Sequence, residues 1–461
     1  MDWRGALQPN EQESFIAVRL LLKVVVWCFF EGQPKPYTEE CMRAKQLIVS
    51  VVMVCLVLSL FAGTAMAQKV LKVGVLGPFT GPAAQNGAEF KASVEMALEK
   101  INYTVGDYKL EIVWIDSQSD PAKAASAYAE AVERLGIDCA MQNWHSSVAV
   151  AAMDVAAQYK IPHWFGFGAT EVVNEKWRSD PAKYSYWGGK GWPIPAKMAL
   201  GYVELLESAI AAGSYKPKSK TVAIYGEDSD WGRSLGGALK GFFVEKGWTL
   251  VSEDYFPLTQ TDFYPLLGKY KRGDVAVLAG TSTAAPTMTA FVKQAGEVGL
   301  ESVIIADGLG WMGDWYTMAG PASNGVLDMI PQLTTPESQQ WAADIQAKYG
   351  FNPSPSAGGL CYDGTNMFIK ILNRTLEKYG TLDKVTIHKT FVEEVHTGKL
   401  TFGKADGALI MNEYRYTPES VPDPVVAKDG YYFPVIQYTE GVGKIVFPED
   451  WAEAAFAAPK K

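Results

Sequence analysis

From position 71 onward, short apolar runs alternate with amphipathic stretches. Residues 71–76 (Leu-Lys-Val-Gly-Val-Leu) form a β-rich run, followed by a Gly/Pro loop over 77–87. Phe90, Val94, Ala97, Leu98 and Ile101 then recur at the three- and four-residue spacing of one helix face. The unit repeats, with strands predicted over 110–115, 139–142 and 163–167 and helices over 121–135 and 147–159. A second series predicts strands over 221–225, 249–253, 275–279 and 303–306, with helices over 234–246, after Phe263 and over 285–298. Strands separated by helices of this length need parallel crossovers, so each series is expected to form a doubly wound α/β sheet covered on both faces. A helix over 362–376 and strands over 408–411 and 432–438 must join one sheet or the other. The series part at 188–195, where Gly-Gly-Lys-Gly-Trp-Pro-Ile-Pro reads as a connecting segment. No internal repeat of about 20–50 residues accompanies this pattern, which excludes a solenoid.

The segment before the first strand has a different character. From Met42 a basic start, an apolar run over 47–62 and the small residues Ala65 and Ala67 give the three parts of a secretory signal peptide. Cleavage is expected after Ala67, leaving Gln68 first, with 42–67 as the signal peptide and 1–41 as an upstream extension ahead of the true start at Met42. A membrane anchor over 15–30 is disfavoured because Arg19 and Lys23 interrupt its apolar run. A lipoprotein reading of Cys55 is disfavoured by Val54, which stands where a small residue is expected.

Composition narrows the function. The 461 residues are enough for two or three domains. Lys and Arg total 42 against 51 Asp and Glu, and residues 1–67 carry six of each sign, so the charge of −9 survives export. That balance argues against a nucleic-acid partner or an anionic membrane surface. The 14 Trp, 22 Tyr and 20 Phe exceed what a core needs and point to an aromatic-lined cleft. Cys139 and Cys361 alone lie beyond the cleavage point, and two buried free thiols are expected. Four histidines without ligand spacing, and glycine pairs lacking the third glycine of a dinucleotide fingerprint, call for no metal and no cofactor. Gly232-Arg-Ser-Leu-Gly236 matches a nucleophile elbow, but 226–231 separate it from the preceding strand. Ser234 is therefore expected to cap a helix, and the chain is not expected to be an enzyme.

The polar residues that remain sit at carboxyl ends of predicted strands, where open α/β sheets place their ligands. His145-Ser146-Ser147 ends one strand and opens a helix, offering hydroxyls and backbone N–H groups at the positive end of the helix dipole. Gly168-Ala169-Thr170 ends the next strand, and Asp307 ends a strand of the second series. Each alone also suits a cap or a turn. Together they describe a carboxylate cradle on one lobe and an ammonium partner on the other.

The loop Gly77-Pro-Phe-Thr-Gly-Pro-Ala-Ala-Gln-Asn-Gly87, the stretch Asp228-Ser-Asp-Trp-Gly232, Thr261-Asp-Phe263 and Ala295-Gly-Glu-Val-Gly-Leu300 occur in an order and spacing that resembles the type I periplasmic binding proteins of branched-chain amino-acid ABC transporters. The resemblance covers 68–450. It implies two doubly wound α/β lobes joined by three crossovers, with 68–190 and 332–428 in lobe one, 191–331 and 429–450 in lobe two, and 451–461 as a tail. It implies that Ser147, Gly168 and Thr170 hold a ligand carboxylate, with Ser146 beside them, that Asp307 takes an ammonium and that Trp231 closes over the ligand. Asn86 stands where the family often has an aromatic residue, and 281–285 lack the family's tyrosine, so the side-chain pocket departs from the pattern. The implied function is an exported, periplasmic receptor that binds a hydrophobic or branched-chain amino acid and delivers it to ABC permease subunits. A sensor built on the same clamshell, or a receptor for an aromatic carboxylate or small amide held among Trp144, Trp231 and Trp311, stays open.

Overall fold

The structure is a computed structural model that describes residues 68–459; the expected signal peptide and upstream extension lie outside the described residues. The first sheet contains β1 (Lys69–Gly77), β2 (Thr104–Val105), β3 (Tyr108–Asp116), β4 (Cys139–Met141) and β5 (His163–Trp164). Their order is β2-β3-β1-β4-β5, parallel except for the β2–β3 hairpin. Val73, Val75 and Leu76 are buried on both faces of β1, which is why that strand reads as a near-continuous apolar run. Helices α1 (Ala84–Glu99), α2 (Pro121–Glu130), α3 (Ser146–Tyr159) and α4 (Glu171–Ser179) belong to this lobe.

The second sheet begins after α5 (Leu200–Ala211), with β6 (Thr221–Glu227), α6 (Asp230–Glu245), β7 (Thr249–Phe256), α7 (Tyr264–Arg272), β8 (Val277–Thr281), α8 (Ala285–Val298), β9 (Val303–Asp307) and β10 (Leu327–Met329). The chain then returns to lobe one, where α9 (Pro336–Tyr349) and α10 (Cys361–Tyr379) pack on α1. A two-stranded ribbon of β11 (Phe402–Gly403) and β12 (Glu413–Tyr414) follows, and β13 (Val435–Thr439) and β14 (Val442–Phe447) complete the second sheet. Its order is β14-β13-β10-β9-β8-β6-β7, parallel except for the antiparallel β13 and β14. The architecture is two α/β lobes, as the alternation of strand and helix predicts.

Two crossovers lie side by side and are tied by charge. Lys190 and Asp423 are both fully buried and pair at 2.7 Å, while Lys197 reaches the other Asp423 oxygen at 2.9 Å. Lys190 also donates to Asn174 Oδ1 at 2.5 Å and, through its backbone N–H, to the carbonyl of Pro422 at 2.7 Å. A buried charge of this kind is tolerable only with its partner in place.

Three predicted elements differ. Residues 408–411 form no strand: the N–H groups of Leu409 and Ile410 donate to the buried Asp363 carboxylate at 2.7 and 2.9 Å instead of to a neighbouring strand. The strand predicted over 163–167 stops at Trp164, because Phe165 takes a positive φ of 62°. Helix α6 starts at Asp230 with Ser229 as its cap, so Ser234 lies inside the helix. Cys139 and Cys361 are free and buried, as expected.

Candidate functional site

Strand order reverses at two points, and the site lies between them. In lobe one the chain winds outward from β1 to β3 on one side and to β4 and β5 on the other, so a crevice opens beyond the carboxyl ends of β1 and β4. In lobe two the reversal falls between β6 and β8. Crevices at such switch points are where doubly wound sheets bind ligands. The loops after β4, β6, β8 and β9 meet there.

A small cavity of about 20 Å³, counted as the space open to the centre of a water-sized sphere, sits at this junction. Trp144, Ser146, Phe167 and Ala169 line it from lobe one, and Trp231, Thr283 and Trp311 from lobe two. Trp192, carried on a crossover, completes the wall. The lining includes no Asp, Glu, Lys, Arg or His. Trp311 is its centre: its ring lies edge-on to Trp144 at 5.5 Å and to Trp192 at 5.3 Å, and tilted against Trp231 at 5.7 Å. Such geometries suit the ring quadrupoles.

The lobes are closed on each other, and the closing contacts are polar. Trp144 Nε1 donates to the Thr283 carbonyl at 3.1 Å, and His145 Nδ1 pairs with Thr283 Oγ1 at 3.0 Å. Asn86 Nδ2 donates to the Trp311 carbonyl at 2.9 Å, the Asp230 N–H donates to Ser147 Oγ at 3.2 Å, and the Gly313 N–H donates to Glu89 Oε1 at 3.0 Å. Ser234 donates to Glu171 across the same gap. The serine of the Gly-x-Ser-x-Gly sequence therefore serves as a contact between lobes.

Behind the lobe-two wall stand buried carboxylates. Glu227 Oε2 accepts from the Thr283 N–H at 2.5 Å, from Thr283 Oγ1 at 2.7 Å and from Ser282 Oγ at 3.3 Å. Its Oε1 accepts from Ser229, the residue that caps α6. One side chain thus fixes both the start of α6, which carries Trp231, and the loop that carries Thr283. Because the Thr283 hydroxyl proton points to Glu227, its oxygen accepts from His145 Nδ1–H. Burial holds His145 down to about 3, so the ring stays neutral.

Of the predicted site residues, Ser146 and Trp231 line the cavity. Ser147 and Asn86 hold closing contacts. Thr170 is buried and caps α4 by accepting from the Val172 N–H at 3.3 Å. Gly168 packs so closely on α3 that a Cβ would stand 2.4 Å from that of Ala149. Asp307 lies deeper in lobe two: its Oδ2 accepts from Tyr202 at 2.8 Å, and its Oδ1 is buried without a partner. Burial first, and the neighbouring Asp328 second, push its pKa well up. Helix α3 carries no side-chain cap at its N-terminus, so Ser146 opens it with uncapped N–H groups. The sequence pattern does not mark Phe167, Trp192 or Thr283 as site residues; Trp192 falls in the connecting segment, where a tryptophan among glycines and prolines is the one available signal.

Residues 70–412 match the model of the periplasmic binding protein family. A Leu/Ile/Val-binding protein homolog 6 from Brucella melitensis is 27% identical over 333 residues, covering 69% of this chain and 80% of the relative. The leucine-binding protein LivK of Thermotoga maritima superposes with a TM-score of 0.63 at 18% identity, covering 81% of this chain and 97% of that one. A solute-binding protein of an ABC transporter from Rhodopseudomonas palustris, solved with 3,4-dihydroxybenzoic acid, gives 0.65 at 20% identity over 85% and 98%. Fold, topology and family match agree, and the chain belongs to the periplasmic binding protein family.

Proposed function

We propose that this protein is the exported solute-binding component of an ABC importer, and that its ligand is a small carboxylate with a flat apolar body, such as an aromatic acid. The observation that carries this reading is the cavity wall: five aromatic rings, hydroxyl-bearing Ser146 and Thr283, and no carboxylate. A zwitterionic amino acid would bury an ammonium, which needs an anionic partner in a water-poor site. Asp307, the expected partner, does not line the cavity, has one oxygen on Tyr202 and is kept toward its neutral form by burial. The ligand carboxylate is placed at the N-terminus of α3, near Ser146 and Ser147, with Gly168 and Thr170 flanking it and Asn86 and Trp231 helping to close the site over the ring. Closing the two lobes would present the loaded form to the permease subunits.

A branched-chain amino acid is the second reading, favoured by the name of the Brucella relatives. Calorimetry with benzoate, 4-hydroxybenzoate, leucine and isoleucine separates them. An aromatic acid is expected to bind at least tenfold more tightly than either amino acid, with Asp307→Asn leaving its affinity unchanged. Tight leucine binding lost in Asp307→Asn would reverse the assignment.

A further inference from the structure

The tryptophans around the cavity are not equivalent in their hydrogen bonding. Trp144 Nε1 donates to the Thr283 carbonyl, and Trp231 Nε1 donates to Thr281 Oγ1 at 2.9 Å. Trp311 Nε1 is buried and has no partner. A buried donor left unpaired costs about 1–3 kcal/mol. The indoles of Trp187 and Trp341 are orphaned in the same way away from the cavity, so it is the place of Trp311 in the cavity wall that gives its free donor a ligand to meet. Trp311 is also the ring that touches the other three tryptophans, and it is held from both lobes. Its carbonyl accepts from Asn86, and its loop is clamped by Asp328.

Asp328 is fully buried. Its Oδ1 accepts from the Gly308 N–H at 3.0 Å, and its Oδ2 accepts from the Gly310 N–H at 2.8 Å and from the Tyr438 hydroxyl at 2.8 Å. The glycines are required: a Cβ at Gly308 would stand 2.8 Å from the Trp311 ring, and one at Gly310 would stand 2.1 Å from the Tyr438 oxygen. The loop 308–311 is therefore built to present one indole.

We propose that Trp311 is a specificity-determining residue whose indole N–H donates to an acceptor oxygen of the ligand, and that Asp328 is a positioning residue that sets this donor. The inference rests on the cavity being the ligand site and deepens that reading: an oxygen acceptor on the ligand, as well as a flat body, is recognised.

The test labels the tryptophan indoles with ¹⁵N, assigns Trp311 from the spectrum of Trp311→Phe, and titrates benzoate and leucine as probes. With whichever probe binds, the Trp311 N–H resonance is expected to move downfield and to exchange more slowly with water. Trp311→Phe keeps an aromatic ring and is expected to weaken binding about 10- to 100-fold at unchanged melting temperature. Asp328→Asn is expected to shift the Trp311 resonance before any probe is added, which a role confined to stability would not do. Movement of the Trp144 and Trp231 resonances with Trp311 unmoved overturns this proposal and leaves the site assignment standing. A probe that binds without moving any of the three overturns both.

Discussion

The two faces of the cleft are built on different principles. Lobe one offers the uncapped N-terminus of α3, with Ser146 and Ser147 on its first turn, beside the rings of Trp144 and Phe167. Lobe two offers side chains, Trp231 on the first turn of α6 and Thr283 and Trp311 on loops, each fixed from behind by a buried carboxylate network around Glu227 or Asp328. A helix terminus needs little such support, because the hydrogen-bonded turns that follow hold its first N–H groups in place while leaving them without an intrahelical acceptor. Loops gain precision only from a supporting shell. In the proposed reading, the face that would take the ligand carboxylate is built from local structure, while the face that would select shape depends on residues that never reach the cavity.

The largest expected effect breaks that dependence. Glu227→Met removes the acceptor for two hydroxyls and an N–H of Ser282 and Thr283, and for the Ser229 hydroxyl. Several buried donors left unpaired should cost roughly 3–5 kcal/mol of stability. Urea denaturation measures it, and ligand binding should be lost in parallel. A cost below about 1 kcal/mol would show that the lobe-two loops hold themselves.

This asymmetry also decided what the sequence could reveal. Helices α1, α3 and α8 and strands β1, β3, β6 and β9 follow from periodicity, because each buries a stripe or both faces against its own lobe. Asp363 is invisible to that reasoning: it looks like a surface position of an amphipathic helix, yet its carboxylate gathers Leu409, Ile410 and Tyr414 and unmakes the strand predicted over 408–411. Glu227 and Asp328 are hidden in the same way, since nothing local distinguishes a buried acid from a solvated one. The helix-terminus half of the site was legible in His145-Ser146-Ser147, because a strand, a cap and a helix are local signals. The tryptophan cluster brings together residues 144, 192, 231 and 311, and only the fold makes them neighbours.

Glu89 sharpens the comparison, because it is a fully buried lobe-one acid that lobe two reaches. Burial pushes it up to about 7, against the hydrogen bonds it accepts from Ser354 and Gly313. Unfolded, it loses its proton near 4.5; folded, it holds the proton until about 7. Its stabilising share is thus complete below about 4.5 and is lost as pH rises through about 7, an amount of about 3 kcal/mol. Asp363, pushed up to about 6 chiefly by burial, acts in the same direction. The buried histidines, held down to about 3 or 4, act in the opposite direction and do so equally in parent and variant. Measured by urea denaturation, the parent should therefore lose about 2–3 kcal/mol relative to Glu89→Gln between pH 5 and pH 8, and parallel slopes in the two proteins would place Glu89 in a less buried setting.

The smallest expected effects distinguish two hydroxyls on lobe one. Ser147 Oγ accepts from the Asp230 N–H of the other lobe, so Ser147→Ala removes one hydrogen bond that exists only when the lobes are closed. About 1 kcal/mol of closure free energy should be lost, seen as roughly fivefold weaker binding carried mainly by faster release, with no change in melting temperature. Thr170 differs, since its hydroxyl accepts from the Val172 N–H within its own lobe. If it is only a cap, Thr170→Ala should cost about 1 kcal/mol of stability and leave release rates alone. If it also holds the ligand carboxylate, stability and affinity should fall together, because the hydroxyl can donate its proton to the ligand while its oxygen accepts from Val172. Stopped-flow release rates beside thermal melts of both variants decide between these, and a Thr170→Ala protein that releases ligand like the parent would confine the carboxylate cradle to the first turn of α3.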